Sequence, residues 1–108
     1  MELYEYQTET AKTAIYPSEI GLAYVTLGLA GEAGEIANKV KKIYRDKKGI
    51  LDQETRDTLQ AEIGDVLWYV SQLCTELNIS LDDSAQDNIQ KLTSRKERGK
   101  LTGNGDNR

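Results

Sequence analysis

The sequence predicts a small all-α protein. Proline occurs only at Pro17, and apolar residues recur at three- and four-residue spacings through most of the chain, which is the helical period. A chain of 108 residues is the size of one domain. Because only 38% of the residues are apolar, the core must be modest. We therefore expect a four-helix, bundle-like protomer that is built on a long antiparallel helix hairpin and completed by oligomerisation.

The first two predicted helices are separated by a break at Tyr16-Pro17-Ser18. The first helix covers roughly residues 2–14. Ser18 is then the expected N-cap of a longer second helix that extends to about Asp46, since a serine oxygen can accept a hydrogen bond from the first turn. This helix carries an apolar stripe that must be buried, formed by Leu22, Val25, Leu29, Ile36, Val40 and Ile43.

Two further helices are predicted, and each follows a turn whose residues are typical of helix ends. Gly49 ends the second helix and Asp52 caps the third, and two long helices joined this closely usually pack antiparallel. Ser80, with Asp83 three positions later, caps a fourth helix that fades near Gly99. The third helix is expected to bury one stripe, consisting of Leu59, Ile63, Val66, Leu67, Val70, Leu73, Cys74 and Leu77.

Composition and charge exclude several classes of protein. The chain has no histidine and one cysteine, so it offers neither a usual zinc site nor a histidine base. Its apolar runs are too short for a membrane span and no leader pattern begins it, so a cytoplasmic protein is expected. The net charge of −4 argues against binding of a nucleic acid polymer.

Positive charge gathers only toward the C-terminus. Five basic and two acidic residues lie between Arg95 and Arg108. We expect a single domain over residues 1–98, followed by a basic, glycine-containing tail over residues 99–108. Such a tail is either a frayed terminus or an arm that reaches a phosphorylated ligand.

Two pairs of carboxylates stand out on the predicted hairpin. Glu32 and Glu35 share one face of the second helix, and Glu62 and Asp65 share one face of the third. The pairs lie symmetrically about the Lys48-Gly49 turn, so an antiparallel hairpin sets Glu32 level with Asp65 and Glu35 level with Glu62. Helical angles place all four at the rim of the core.

Four carboxylates held together require a compensating charge. At an effective dielectric constant near 20, two like charges about 4 Å apart cost on the order of 4 kcal/mol. Oxygen ligands without histidine or cysteine favour Mg²⁺, with Mn²⁺ as a substitute, and such sites act on phosphate groups. The alternative is a solvated helix flank whose acids are matched by nearby basic residues, namely Lys39, Lys42 and Arg45.

Three glycines in seven residues of the second helix also need a reason. Gly28, Gly31 and Gly34 each cost up to about 1 kcal/mol relative to alanine inside a helix. Close approach of another helix or of a ligand would explain them. They form no phosphate loop of the Walker type, because the G-x-x-x-x-G-K-S/T pattern is missing.

The segments around the four acids resemble the E-x-x-E … E-x-x-D signature of the MazG-like, all-α nucleoside triphosphate pyrophosphohydrolases. These segments are Gly28-Leu29-Ala30-Gly31-Glu32-Ala33-Gly34-Glu35-Ile36 and Glu62-Ile63-Gly64-Asp65-Val66-Leu67-Trp68-Tyr69. The later run Asn88-Ile89-Gln90-Lys91-Leu92 and the tail are similar to the same family, so the resemblance covers nearly the whole chain. It implies magnesium-dependent hydrolysis of a nucleoside triphosphate between the α and β phosphates, in control of the nucleotide pool. It also implies an active site completed by subunit association. A homodimer or a dimer of dimers is expected, because one helix hairpin with two flanking helices leaves apolar and aromatic surfaces incompletely covered.

The resemblance further implies roles for individual residues. Four carboxylates are the expected metal ligands, with Glu32 and Glu35 as the catalytic candidates and Glu32 as the expected base. On the fourth helix, a donor-rich face suits triphosphate oxygens. The metal ligands are Glu32, Glu35, Glu62 and Asp65, and the donors on the fourth helix are Asn88, Lys91 and Arg95.

Three residues near the acids receive separate interpretations. Tyr69 projects toward the proposed metal site and could flank the nucleoside. Lys39 either contacts phosphate or, as the simpler interpretation, pairs with Glu35 one turn away. Trp68 falls on the side away from both the core stripe and the acids, where an exposed tryptophan more often marks a subunit interface.

Other functions are compatible with parts of the same sequence pattern. In a non-catalytic helical interaction protein the acids would form a solvated face and Trp68 would dock a partner. A phosphoribosyl-ATP pyrophosphohydrolase shares the helical design. A carboxylate-bridged di-iron bundle is disfavoured, because it normally needs Glu-x-x-His elements and the chain has no histidine.

Overall fold

The computed structural model describes all 108 residues, and it is all-helical with no strands, as the sequence predicts. A single 3₁₀ turn, Ser18–Ile20, precedes the second α-helix. None of the helices combines the length and the apolar character that crossing a bilayer requires. The four α-helices are α1 (Leu3–Ala11), α2 (Gly21–Lys47), α3 (Gln53–Glu76) and α4 (Leu81–Glu97).

The start of α2 differs from the prediction. Ser18 does not cap this helix; it begins the 3₁₀ turn, and α2 starts at Gly21 without a side-chain cap. Contacts with α3 explain the shift. The Tyr16 hydroxyl donates a hydrogen bond to Glu76 Oε1 (2.6 Å), and Gly21 lies against the same carboxylate so closely that a Cβ atom would clash with it. Tertiary contact, rather than a capping hydroxyl, therefore sets where α2 begins.

The other helix ends follow local capping chemistry. Asp52 Oδ1 accepts a hydrogen bond from the Thr55 backbone N–H (2.8 Å), and Ser80 Oγ accepts one from the Asp83 N–H (3.2 Å). Both predicted N-caps are confirmed. The α2–α3 turn contains two consecutive residues in the left-handed region, Lys48 (φ 55°) and Gly49 (φ 78°), and glycine adopts that region without strain.

The most extensive packing in the chain joins α2 to α3, whereas α1 and α4 pack on α3 and on each other. Because α2 has no close helix neighbour other than α3, the four helices do not close into a bundle within one chain. Contacts along the α2–α3 seam run in opposite chain order, and they pair Gly21 with Glu76, Gly28 with Tyr69, Lys39 with Glu62 and Lys47 with Thr55.

The apolar stripes are only partly buried. Val25 and Ile43 of α2 and Cys74 of α3 are buried, as expected. The prediction of full burial is wrong within a single chain, because α2 packs on one helix only. The radius of gyration is 16.9 Å, against about 13 Å for a compact domain of this length. The stripe residues left exposed are Leu22, Ile63, Leu67 and Leu77, and on α4 the apolar Ile89 and Leu92 are exposed as well.

Polar contacts fix α1 against the α3–α4 corner. Thr10 and Ser71 are buried and their hydroxyl groups share a hydrogen bond of 2.7 Å. The Gln7 amide donates to Ile79 O (3.0 Å) and accepts from the Leu81 N–H (2.8 Å). Because a buried polar group must be hydrogen-bonded, these contacts specify one arrangement of α1 and the start of α4.

The C-terminal tail is folded rather than frayed. The Arg108 guanidinium donates hydrogen bonds to the carbonyl oxygens of Lys100 (3.0 Å), Leu101 (3.0 Å) and Gly105 (2.7 Å). The tail therefore closes on itself. Its Asp106 also contacts Lys91 and Arg95 of α4.

Candidate functional site

Three of the four predicted metal-binding carboxylates come together at the middle of the α2–α3 seam. Glu32 of α2 and Glu62 and Asp65 of α3 each offer an oxygen within 4.8 Å of the others. The i, i+3 spacing keeps Glu62 and Asp65 on one face of α3, and the packing of α2 brings Glu32 to that face. We call these three residues the carboxylate cluster.

Glu35 lies outside this cluster. It is exposed, one helical turn beyond Glu32 on α2, and it is not among the carboxylates that converge. Its negative charge nevertheless contributes to raising the pKa of Glu32. The structure therefore brings together three of the four predicted ligands and leaves the fourth nearby.

The cluster holds more negative charge than its protein neighbours compensate. Partial burial is the largest cause that raises the pKa of Glu32, followed by a hydrogen bond with Glu62 and the charges of Asp65, Glu62 and Glu35. The excess of negative charge and the all-oxygen donor set fit a hard divalent cation such as Mg²⁺ or Mn²⁺.

Lys39 supplies the only basic side chain paired with the cluster. Its Nζ lies 3.5 Å from Glu62 Oε1, across the seam, and both side chains are partly buried. The expected pairing of Lys39 with Glu35 along α2 is therefore wrong. Lys39 faces α3, where the carboxylate of Glu62 is closer to its ammonium group than the exposed Glu35 is.

A cavity of about 350 Å³ adjoins the cluster and shares Glu32 and Asp65 with it. Tyr69 lies in its wall, on the same side as the acids. The Tyr69 ring covers Gly28 so closely that a Cβ atom there would overlap the ring. This close contact explains why a glycine stands at position 28 inside the helix. The remaining wall of the cavity, which we call the aromatic cavity, consists of Thr13 and Trp68.

Gly31 and Gly34 show no such contact. A Cβ atom at either position would meet no other atom within 4 Å. Of the three glycines in α2, only Gly28 is explained by packing within one chain.

The placement of Trp68 away from the acids is wrong. Trp68 lines the aromatic cavity, and its Nε1–H donates a hydrogen bond to Thr13 Oγ1 (2.7 Å). Its ring meets Tyr69 edge to face, with centroids 5.1 Å apart. The segment after α1 folds over the outer face of α3 and contacts Trp68. Helical angles calculated for α3 alone cannot predict a contact with another segment.

Two further aromatic residues, Tyr16 and Tyr24, extend this wall and were missed in the sequence. Tyr16 stacks on Tyr24 at 4.9 Å and contacts Trp68 edge to face at 6.4 Å, and Tyr24 lies 6.5 Å from Tyr69. Burial is the main cause that raises the pKa of Tyr69, with contributions from Tyr24 and from the charges of Glu32 and Asp65. The one feature of the sequence that could have indicated this longer aromatic wall is the position of Tyr24, one turn before Gly28 on α2.

The three predicted ligands on α4 do not reach the cluster within one chain. Helix α4 makes no close packing with α2, and none of the three lines the aromatic cavity. Asn88 is exposed. Arg95 is buried, and its guanidinium donates to the Asp106 carbonyl and to Asp106 Oδ1 (3.2 Å). Lys91 Nζ contacts the same Oδ1 at 3.1 Å.

Comparison with known proteins gives a consistent result. The model of the MazG nucleotide pyrophosphohydrolase domain matches residues 22–99. The chain is also similar to the "Gene 37 protein" of Mycobacterium phage L5, with 59% identity over 109 residues that cover 95% of this chain and 96% of that protein. No solved structure shows a significant match. The matched residues begin in α2, end just after α4 and include every residue of the carboxylate cluster.

Proposed function

Because the chain belongs to the MazG nucleotide pyrophosphohydrolase family, we propose that it hydrolyses nucleoside or deoxynucleoside triphosphates between the α and β phosphates, releasing the monophosphate and pyrophosphate. One observation carries this proposal. Glu32 and Asp65 belong both to the carboxylate cluster and to the aromatic cavity, so the acids that would hold a cation and the aromatic wall that would hold a flat ring lie side by side. A nucleotide needs both. Removal of unwanted nucleotides from the pool is the role that suits this reaction.

The metal site uses the chain's own oxygen donors. Glu32, Glu62 and Asp65 would hold Mg²⁺, or Mn²⁺ in its place, and Glu35 would supply a fourth carboxylate from the next turn of α2. A bound divalent cation would draw charge from phosphate oxygens and lower the pKa of a water molecule.

Glu32 is the residue we assign as base. It is partly buried, and its carboxylate belongs to both the carboxylate cluster and the wall of the aromatic cavity. Its oxygen would take the proton of the water that cleaves the anhydride bond.

The nucleoside occupies the aromatic cavity in this proposal. Tyr69 and Trp68 line the cavity wall, and stacking of a base on an aromatic side chain contributes about 1–3 kcal/mol. The Trp68–Thr13 hydrogen bond holds the indole in place. Such a wall binds a planar base whatever its exact substituents.

Most of the predicted phosphate contacts do not reach the cluster within one chain. Lys39 stands beside the cluster, but Asn88, Lys91 and Arg95 lie on a helix that does not pack on α2. We propose that a homodimer, or a dimer of dimers, brings Asn88 and Lys91 on α4 of one chain to the cluster of another, whereas Arg95 is covered by its own chain's tail. The uncovered apolar residues of α2 and α3 supply surface for such an assembly, since large exposed apolar areas mark interaction sites.

The test is release of pyrophosphate from a panel of canonical and modified ribo- and deoxynucleoside triphosphates, with phosphoribosyl-ATP included. Each substrate is assayed with Mg²⁺, with chelator, and with the Glu35→Gln variant. Glu97→Gln serves as the matched control, because Glu97 is exposed and makes no ion pair. We expect magnesium-dependent activity that Glu35→Gln loses and Glu97→Gln retains.

Two other outcomes would redirect the proposal. Hydrolysis of phosphoribosyl-ATP alone would assign that narrower activity. No hydrolysis of any substrate, with no rise in melting temperature on addition of Mg²⁺, would contradict the enzyme and favour a helical interaction protein that uses the same exposed apolar surface.

A further inference from the structure

The segment that follows α1 supplies part of the wall around the aromatic cavity. Thr13 lines the cavity, and the Tyr16 ring contacts Trp68 edge to face at 6.4 Å. Both residues precede residue 22, at which the match to the MazG domain begins. The space in which we place the nucleoside is therefore built partly by this N-terminal segment, and not only by the hairpin that carries the carboxylate cluster.

The hydroxyl group of Thr13 is fully occupied by other protein groups. It donates a hydrogen bond to Thr10 O (3.1 Å) and accepts one from Trp68 Nε1–H (2.7 Å). A hydroxyl has one proton to donate, and an indole has one N–H. Neither Thr13 nor Trp68 therefore has a side-chain donor left for a ligand in the cavity. The hydroxyl instead links the indole to the end of α1.

The end of α1 is itself fixed on α3. Thr10 and Ser71 share a buried hydrogen bond of 2.7 Å between their hydroxyl groups. Ser71 follows Trp68 by three residues, so the two side chains lie one turn apart on the same side of α3. Thr10 and Thr13 thus connect α1 to α3 at two neighbouring points. One of these points is buried, and the other is the indole of the cavity wall.

The other contacts of the indole are made by aromatic rings. The Tyr16 hydroxyl donates to Glu76 Oε1 (2.6 Å) and accepts from Gln72 Nε2 (3.0 Å), which holds the Tyr16 ring beside the indole. The Tyr69 ring meets the indole edge to face at 5.1 Å. Aromatic pairs form over centroid separations of about 4.5–7 Å, whereas a hydrogen bond requires a narrow range of angles. The hydrogen bond to Thr13 is therefore the contact that fixes the orientation of the indole.

We infer that Thr13 is a positioning residue for the nucleobase, because its hydroxyl sets the orientation of the Trp68 ring on which the base stacks. This inference rests on the proposed function, in that it takes the aromatic cavity as the site of the nucleoside. A ring that is already held in its binding orientation loses less conformational entropy when a ligand binds. Since Thr13 and Trp68 have no free side-chain donor, they contribute stacking rather than hydrogen bonds to the base.

The experiment follows nucleotide binding through the fluorescence of Trp68, which is the only tryptophan in the chain. The probes are adenosine monophosphate and cytidine monophosphate, a purine and a pyrimidine, in the presence of Mg²⁺. The unmodified protein is compared with Thr13→Val, which keeps the shape of threonine without its hydroxyl, and with Thr13→Ser, which keeps the hydroxyl. Thr8→Val is the matched control, because the exposed Thr8 also donates to a carbonyl of α1, Tyr4 O (3.0 Å), but does not line the cavity.

We expect Thr13→Val to weaken binding of the monophosphates about two- to tenfold, the effect typical of one hydrogen bond. The emission of Trp68 should shift to longer wavelength in this variant, because the freed indole gains contact with water. Thr13→Ser and Thr8→Val should bind like the unmodified protein. In the hydrolysis assay, Thr13→Val should raise KM and leave kcat nearly unchanged, since stacking of the base contributes equally to the ground state and the transition state.

Several results would overturn the inference. Binding of the monophosphates that is equal in Thr13→Val and Thr8→Val would show that the Thr13 hydroxyl does not position the base, and a lower melting temperature without weaker binding would give Thr13 a purely structural role. Weakening in Thr13→Ser as large as in Thr13→Val, or no response of Trp68 to either probe, would also contradict it.

The same measurements separate this inference from the proposed function. If no triphosphate is hydrolysed but binding of the monophosphates still depends on the Thr13 hydroxyl, the base site stands and the proposed reaction falls. If hydrolysis occurs with the same KM in Thr13→Val as in the unmodified protein, the reaction stands and the role of Thr13 falls.

Discussion

The middle of the α2–α3 seam and one face of α4 were both expected to contact the substrate. In the structure, the two regions differ in how accessible and how well assembled their predicted residues are. On the seam, Glu32, Glu62 and Asp65 converge and share a cavity with Tyr69. On α4, Arg95 is buried under the chain's own tail. The difference lies in connectivity. Two helices joined by a five-residue turn have a fixed register, whereas α4 leaves α3 at a corner and its direction depends on contacts with α1.

The largest effect is expected from the carboxylate cluster. Glu62→Gln removes a charge from the centre of the cluster and should lower kcat/KM by about a hundredfold or more, since loss of a metal-site interaction typically has that magnitude. Steady-state assays with varied Mg²⁺ would measure it. A change of the same size in Glu97→Gln would show that the seam has no special role.

A comparison of two glycines tests how closely the seam is packed. Gly28→Ala forces the Tyr69 ring away and should destabilise the fold by about 1–3 kcal/mol, as overpacking does. Gly34→Ala meets nothing in one chain and should stabilise α2 by up to about 1 kcal/mol. Urea unfolding of both variants would measure the free energies of unfolding. A destabilised Gly34→Ala would indicate that another chain covers this position.

A smaller effect, on the stability of the fold, is expected at the start of α4. Ser80→Ala removes the oxygen that accepts the Asp83 N–H and should cost about 1 kcal/mol. Ser84→Ala is the matched control, because Ser84 is exposed within the same helix and its hydroxyl makes no hydrogen bond. Thermal unfolding would compare them. Equal melting temperatures would show that the Gln7 contacts alone position α4.

The smallest effect is expected from the tail at low pH. Lys91 and then Arg95 lower the pKa of Asp106 below its ordinary value of 3.8. A carboxylate whose pKa is lowered on folding stabilises the fold above its ordinary pKa, and that contribution is lost as the pH falls through the folded value. Between pH 5 and about pH 2, proteolysis of the tail by pepsin should accelerate in the unmodified protein more than in Asp106→Asn, which lacks this contribution at every pH. Identical pH profiles would contradict a role for Asp106 in holding the tail.

Several features of the site follow from local sequence alone. The pairs Glu32/Glu35 and Glu62/Asp65 each occupy one face of a helix because the helical period is fixed, and the short turn at Gly49 places the two helices side by side. The Asp52 and Ser80 caps are equally local, because each oxygen bonds to an N–H three residues away.

Other features depend on segments that are distant in sequence. Trp68 faces the aromatic cavity because Thr13 and Tyr16, more than fifty residues earlier, fold over α3. Lys39 pairs with Glu62 rather than with its helical neighbour Glu35, because packing of α2 on α3 brings the longer-range partner closer.

The sequence by itself determined the all-helical class, the helix ends that depend on capping residues and the grouping of acids on two helical faces. These properties follow from hydrogen bonds and periodicity within a few residues. The tertiary structure alone decided which acids converge, which aromatic rings line the cavity and why Arg95 is covered by the tail. Those outcomes depend on how helices and loops pack, because the free energy of burying a side chain is set by all the groups around it and not by its neighbours in sequence.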